Sequence, residues 1–254
     1  MRALASEMAG WLRAKVQEAG VRGIVVGLSG GIDSAVVARV AQLAVPDGIM
    51  TVMMPAHSHP QDAEDARLVA GIFDLPVMTV DLSLPADSLQ RTIDAALGPV
   101  ASNAVPGDAT ARRMAQANLK PRLRMTTLYY VANRMNYLVA GTGNRCEIAV
   151  GYYTKFGDGG VDLLPLGSLL KSEVRQLARD LGVPASIIDK PPSAGLWSGQ
   201  TDEGEMRVTY AELEDYLTKG PGSVAPATVA RIESLARVSE HKRRLPPVFE
   251  PSAS

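Results

Sequence analysis

The chain has 254 residues, 46% of them hydrophobic, a formal net charge of −1 and one cysteine, Cys146. That length supports one large or one-and-a-half domains with a sizeable core, and a near-neutral balance argues against nucleic acid as the main partner, because phosphate-backbone binders display a basic face. No apolar run approaches the roughly 18 residues of a membrane span, and a lone thiol excludes an internal disulfide and fits a reducing cytoplasm. The N-terminus has no signal-peptide pattern: Leu4, Met8, Trp11, Leu12 and Val16 fall on one face of an amphipathic helix. Residues 24–28 and 49–54 read as buried strands, and a loop over 56–60 precedes a helix over 61–73. A third strand is expected over 77–82, a helix over 85–97, and a Gly/Pro/Asn-rich loop over 98–108. Strands alternating with helices predict an α/β fold, an open doubly wound parallel sheet flanked by helices, with ligands at the carboxyl ends of its strands.

The first strand ends in Gly27-Leu28-Ser29-Gly30-Gly31-Ile32-Asp33-Ser34, and an alanine- and valine-rich helix follows. A strand, a glycine turn and a helix aim backbone N–H groups and a helix N-terminus at one anion. Gly30 and Gly31 can adopt positive φ and let a phosphate approach the backbone. Ser29 and Ser34 can add hydroxyl donors, and Asp33 can hold a Mg²⁺ that bridges to the phosphate. The plainer alternative is a turn in which Asp33 or Ser34 caps the helix. This is neither a Walker A loop, which needs Gly-Lys-Ser/Thr, nor the dinucleotide fingerprint G-x-G-x-x-G.

Helical patterning resumes over 110–136, with Pro121 marking a break or a fresh first turn, and gathers Arg112, Arg113, Lys120, Arg122 and Arg124. On pattern alone these are a solvated face. A fourth strand, 137–140, ends in a second glycine turn, Gly141-Thr142-Gly143-Asn144, with Glu147 in the first turn of the next helix. Residues 154–162 form a glycine-dense loop presenting Lys155, Asp158 and Asp162, either a salt-bridged turn or a functional loop. A short apolar run, 163–166, and a helix over 171–181 follow, the latter closed by Gly182 and Pro184. Residues 190–207 lack periodicity and suit a lid, in which Trp197 either packs or stands free. The last helices are expected over 210–217 and 228–241, with His241 near a helix C-terminus, before a proline-containing tail from Leu245.

A lysine-free loop with serines and an aspartate suits pyrophosphate, and it resembles the PP-loop ATP pyrophosphatases, which are adenine nucleotide alpha hydrolase-like and Rossmann-like in fold. With GTGNRCEIAVGYYTKFGDGGVDLLPL (141–166), NLKPRLRM (118–125), KPPSAGLWSGQTDE (190–203) and His241-Lys242-Arg243, the chain as a whole is similar to the NAD synthetase family. The resemblance covers nearly all of 1–254 and implies one synthetase unit. It implies that the carboxylate of deamido-NAD attacks the α-phosphate of ATP, and that ammonia then displaces AMP to leave NAD. Carried over residue by residue, Gly27 to Ser34 form the ATP phosphate loop, Thr142, Lys171 and Ser193 contact ATP, and Asp33 and Glu147 hold Mg²⁺. Asp33, Ser34 and Lys171 are the residues implied in catalysis. Arg122, Lys155, Asp162, His241 and Lys242 bind deamido-NAD, while Arg112 and Arg113 stay surface charge.

The family also implies a homodimer with deamido-NAD at the two-fold interface, helix 109–136 being the contact. Glutamine-using members carry a fused amidase with a nucleophilic cysteine, for which 254 residues leave no room. Free ammonia, or a separate glutaminase, is therefore expected as the nitrogen source. Met53-Met54 stand where some members have an arginine, so an adenine-side contact is open; His57 and His59 are its replacement or ordinary loop residues. Cys146 is assigned no chemistry. Two other functions compete: a PP-loop enzyme that modifies tRNA, which would want a basic face, and a non-catalytic nucleotide sensor. A sensor would not need Asp33, Glu147 and Lys171 together.

Overall fold

The computed structural model describes residues 2–101, 109–197 and 199–250. β1 (Gly23–Gly27), β2 (Ile49–Met53), β3 (Val77–Thr79) and β4 (Tyr137–Ala140) form one parallel sheet in the order β3-β2-β1-β4. The helices are α1 (Arg2–Glu18), α2 (Ile32–Ala44), α3 (Pro60–Phe73), α4 (Ser83–Ala101), α5 (Ala109–Met135) and α6 (Arg145–Val150). They continue as α7 (Lys171–Leu181), α8 (Ala185–Ile188), α9 (Asp202–Met206), α10 (Tyr210–Lys219), α11 (Pro226–Val238) and α12 (Glu240–Arg243). Among the described residues, no helix is long and apolar enough to cross a membrane.

β1 is apolar throughout because both of its faces are covered. Ile24 and Val26 pack with Leu12 of α1, Val36 and Val40 of α2, and Val174 and Leu177 of α7. Val25 faces the other way, against Val52, Val139, and Val131 and Ala132 of α5. The chain moves outward from β1 to β2 and β3, then returns so that β4 pairs with the other side of β1, Val26 opposite Ala140. The strand order therefore reverses between β1 and β4, and the crevice outside their carboxyl ends is the natural ligand site of such a sheet. A third cluster, with Cys146, Met206, Tyr210, Leu213 and Ile232, anchors α6 to α9, α10 and α11 beside that crevice.

Several expectations are corrected. α5 is not broken at Pro121, which lies inside a continuous helix. A mid-helix proline costs about 3 kcal/mol; bonds on either side, from Lys120 to the Leu196 carbonyl and from Arg124 to that of Met54, hold the helix to its neighbours. β3 ends at Thr79, although Val80 N still donates to the Met53 carbonyl at 2.8 Å. On α1 the buried stripe is Ala5, Met8, Ala9, Leu12 and Val16, and Trp11 is 40% exposed. The loop expected over 98–108 is helical through Ala101, and 102–108 lie outside the described residues. His241 belongs to a separate short helix, α12, because Ser239 interrupts the last helix and bonds back to the Leu235 and Val150 carbonyls.

Candidate active site

In the loop after β1, only Gly30 takes positive φ, at +82°; Gly31 is extended at −90° and caps α2. A Cβ on Gly30 would lie 2.3 Å from the Asp62 carbonyl oxygen of α3, so close packing as well as φ demands glycine. The serines are engaged within the loop. Ser34 Oγ donates to the Gly31 carbonyl at 2.8 Å and accepts from Ser29 N and Ser29 Oγ, while Ser29 Oγ accepts from Gly31 N. They shape the turn and are not free donors, contrary to the simple reading of the sequence. No side chain caps α2. Its first amides are thus left for an anion, with the helix dipole behind them.

Asp33, in the first turn of α2, meets Lys171, the first residue of α7, in a direct ion pair through Oδ2. Its other oxygen accepts from Asn144 Nδ2 at 3.2 Å, across the sheet from the turn after β4. Asn144 also caps α6 in a reciprocal capping box with Glu147. One Glu147 oxygen is used in that box; the other accepts from Tyr210 OH at 3.2 Å and lies 3.8 Å from Lys171 Nζ. Lys171 is 1% exposed. Burial alone would lower its pKa, but Asp33 and Glu147 outweigh that and hold it above its ordinary value. Burial, with the Asp33 carboxylate nearby, pushes Glu147 up to about 8. Two loops and a distant helix thus converge on one buried lysine and two carboxylates. Thr142 sits half-buried in the turn that follows β4. Among the described residues no group of three or more His, Cys, Asp or Glu side chains could hold a metal. Asp33 and Glu147 nevertheless supply two hard oxygen donors, which suits Mg²⁺ when phosphates and water complete its shell.

A second constellation gathers behind α6. Lys155 Nζ donates to the His241 carbonyl at 2.6 Å, and Arg122 reaches the Lys155 carbonyl at 3.4 Å. Lys242 Nζ donates to the carbonyls of Gly151 and Tyr153 at 2.7 and 2.6 Å. Arg122, Lys155, His241 and Lys242, from three separate stretches, are therefore neighbours. Asp162 is tied to β4 instead: one oxygen accepts from Val139 N at 2.8 Å and the other from Tyr129 OH at 2.9 Å. Gly159 is required by close packing and not by φ, since a Cβ there would lie 2.4 Å from the Tyr153 ring.

Residues 190–197 lie between α3 and α5. Lys190 pairs with Asp62 and Asp65 of α3 at 2.8 and 2.7 Å, next to Gly30. Lys120 Nζ donates to the Leu196 carbonyl at 2.9 Å, and Arg113 stacks on Trp197 at 4.4 Å from the ring centroid. Trp197 therefore packs the lid, and Arg113 is more than surface charge. A cavity of about 240 Å³ opens beneath, lined in part by His57, Asp87, Arg113, Lys120 and Trp197; Asp33, Glu147 and Lys171 do not line it. Ser193 remains exposed on the arm, accepting from Gly195 N, and is not drawn to Lys171. α9 begins at Asp202, so the irregular stretch is shorter than 190–207.

Sequence reasoning passed over Arg124, Asn144, Tyr210 and Asp202. Arg124 Nε donates to the Met54 carbonyl at 3.1 Å, and its Nη2 lies 3.2 Å from Ser58 Oγ. A guanidinium thus arrives at the end of β2 from α5 where Met53-Met54 lack one. His57 bonds Asp87 at 2.8 Å, and His59 caps α3 by accepting from Gln61 N. Asn144 carried a signal, the Asn-x-x-Glu capping spacing; Tyr210 and Asp202 carried none.

Comparison with known proteins agrees with this architecture. The family described as NAD synthase matches residues 4–246. The NH(3)-dependent NAD(+) synthetase of Carboxydothermus hydrogenoformans is 50% identical over 242 residues, 95% of each chain. Among solved structures, NMN synthetase from Francisella tularensis superimposes with a TM-score of 0.88 at 35% identity, covering 99% of this chain and 98% of that one. NAD+ synthetase from Burkholderia pseudomallei gives 0.76 at 31% identity, covering 96% and 90%. With half its residues identical to one such synthetase over almost the whole length, and the matching sheet beneath them, this chain belongs to the NAD synthase family.

Proposed function

We propose that the chain is an ammonia-dependent ligase that converts deamido-NAD to NAD with ATP. The observation that carries this reading is the meeting of Lys171, Asp33 and Glu147 at the mouth of the β1–β4 crevice. A nicotinate carboxylate oxygen attacks the α-phosphorus of ATP and the bond to the β-phosphate breaks, its electron pair leaving with pyrophosphate. Ammonia then attacks the activated acyl carbon, AMP leaves with the electron pair, and the nitrogen sheds a proton. The uncapped α2 amides cradle the phosphates through residues 27–34, with Thr142 and Ser193 as further ATP contacts. Lys171 stabilises negative charge that grows as pyrophosphate departs, the form of electrostatic help that lowers a barrier most. Asp33 and Glu147 are the residues that would hold Mg²⁺, which when bound neutralises phosphate charge. The docked 190–197 arm keeps water from the acyl adenylate.

Arg122, Lys155, His241 and Lys242 bind deamido-NAD, and Asp162 positions the loop that presents Lys155. Residues 1–254 act as one catalytic unit fed by free ammonia. Exposed Leu89, Ile93 and Leu97 on α4, with Met114 and Tyr130 on α5, support a homodimer that pairs these helices around the dinucleotide. The tRNA-modifying and sensor readings lose ground because curated relatives at 41–50% identity are named NH(3)-dependent NAD(+) synthetases.

One observation favours a second substrate, the nicotinate mononucleotide: the superposition on NMN synthetase, with a TM-score of 0.88, exceeds that on the NAD+ synthetase at 0.76. The same two steps would apply to either. The purified protein, given ATP, Mg²⁺, ammonium and each nicotinate substrate in turn, tests both readings through NAD or NMN and AMP formation. NAD with AMP supports the main reading. Faster turnover of the mononucleotide favours the second, and ADP, or no product, refutes both.

A further inference from the structure

We propose that Arg124 is a substrate-binding residue whose guanidinium takes an oxyanion of the reacting pair, the nicotinate carboxylate or an ATP phosphate; the inference rests on the ligase reading above. Arg124 is a half-buried cation without a counter-ion. Its Nε donates to the Met54 carbonyl at 3.1 Å and its Nη2 to Ser58 Oγ at 3.2 Å, both neutral acceptors. Among the described residues no carboxylate pairs with it. Asp158 and Asp62 attract it from a distance only, and both are engaged elsewhere, Asp158 by Thr154 N at 2.9 Å and Asp62 by Lys190 at 2.8 Å. Burial outweighs them and holds the guanidinium below its ordinary pKa. Lys120, one turn earlier on α5, adds to the imbalance: its ammonium bonds the Leu196 carbonyl, and burial with the Arg124 charge lowers its pKa too. A desolvated charge is costly unless something pairs with it. Nη1 is neither hydrogen-bonded nor shut away from solvent, so one edge of the fork is free to meet a ligand.

The fold puts that edge between the two substrates. On the sheet-facing side of α5, Val131 and Ala132 pack with Val25, halfway along β1. One turn nearer the strand ends is Leu128, whose Cδ1 lies 3.5 Å from where a Cβ on Gly27 would stand. Arg124 is one turn beyond, at the carboxyl end of β2, where ligands of such sheets sit. The same stretch of α5 abuts the loop that presents Lys155. Cβ atoms on Gly157 and Gly160 would lie 3.1 Å from Pro121 Cβ and 3.2 Å from Met125 Cγ. Arg124 thus stands between the phosphate loop and the 154–162 loop. In the proposed first step a nicotinate oxygen meets the α-phosphorus between those loops, and two anions must be held together against their repulsion. A guanidinium suits that task, because its planar fork matches carboxylate or phosphate and it never gives up its charge.

Two affinity ratios test the assignment on the full chain. Deamido-NAD and NAD differ only in carboxylate against carboxamide, and ATP and adenosine differ only in the phosphates. R124Q removes the charge but keeps an amide that can still donate to the Met54 carbonyl. In this variant one of the two ratios, measured by equilibrium binding, is expected to fall about 10- to 100-fold, the loss of a hydrogen bond to a charged group. A fall in the deamido-NAD to NAD ratio assigns Arg124 to the nicotinate carboxylate, and a fall in the ATP to adenosine ratio assigns it to a phosphate. A merely structural role would weaken both members of each pair alike, so two unchanged ratios overturn the proposal. R124K, which keeps the cation without the fork, should lose part of the same ratio. It carries the test if R124Q does not fold, and two unchanged ratios in R124K then overturn the proposal. Exchange of labelled pyrophosphate into ATP, driven by deamido-NAD in the wild-type protein, tests the ligase reading separately. Its absence refutes that reading, whereas exchange with both ratios unchanged in the variants refutes only the role of Arg124.

Discussion

Removing the amine at position 171 is the most informative perturbation of this molecule. Lys171→Met keeps the length and apolar stem of a side chain that is 1% exposed, and deletes only the charge. Asp33 and Glu147, whose side chains are 18% and 16% exposed, then face each other with no cation. Breaking a buried pair by removing one partner costs about 3–5 kcal/mol. The lower end applies here, because Asp33 keeps its bond from Asn144 and Glu147 keeps its capping box and Tyr210. Against a total of about 5–15 kcal/mol, that is a large shift in the urea midpoint.

The penalty should also depend on pH. Glu147 already has a folded pKa of about 8, above its ordinary 4.5, so the folded state binds that proton more tightly than the unfolded chain does. Stability from this group is complete below about 4.5 and is lost as pH rises towards 8. Without Lys171 the folded value rises further, so Lys171→Met should be mildly destabilised near pH 5 and severely near pH 9. Pyrophosphate release should fall by about 10²–10³, the usual cost of losing one preorganised electrostatic donor. The double variant D33N/K171M should regain part of the stability, because the uncompensated charge goes with the carboxylate. A penalty under about 1 kcal/mol, typical of exposed pairs, or one that is flat from pH 5 to 9, would refute the reasoning.

Gly30→Ala should cost at least the roughly 1–2 kcal/mol of left-handed backbone, with further loss from contact with the Asp62 carbonyl; a urea midpoint and an ATP titration check it, and unchanged ATP affinity would contradict the cradle. Asp65 and Lys190 supply a separate pH signature. Burial raises the Asp65 pKa, but the Lys190 ammonium more than reverses this and holds it below 3.8. Its stabilisation is therefore present above the ordinary value and lost as pH falls through the lowered one. The stability gap between wild type and Asp65→Asn should hold from neutral pH to about 5 and narrow below 4. Cys146 is wholly buried, and burial pushes its thiol up to about 11. Native protein at pH 8 should resist iodoacetamide and react only at the rate of unfolding; rapid alkylation without denaturant would contradict the packing around α6.

Local chemistry made much of this protein legible from its residues. Two-sided apolar strands at 24–28 and 49–54 announced a covered parallel sheet, and glycine turns after the first and fourth strands announced where a ligand sits. The spacing of Gly30, Gly31, Asp33 and Ser34 pointed to a phosphate, because backbone geometry within a few residues suffices to build such a cradle. Motifs at 118–125, 152–162 and 241–242 named a family and, through it, residues that the fold does gather, as Arg122, Lys155 and His241 illustrate. Periodicity failed where long-range contacts override local preference: Pro121 sits in an unbroken helix, and Trp11 is turned outward while Ala5 and Ala9 fill the stripe. Only the tertiary structure could reveal that Ser29 and Ser34 spend their protons on each other and on the loop, or that Arg124 crosses to the end of β2. The same holds for Asp202, whose carboxylate accepts from Tyr210 OH. Hydrogen-bond satisfaction and burial belong to the packed chain, so residues whose roles depend on them leave no spacing in the sequence to read.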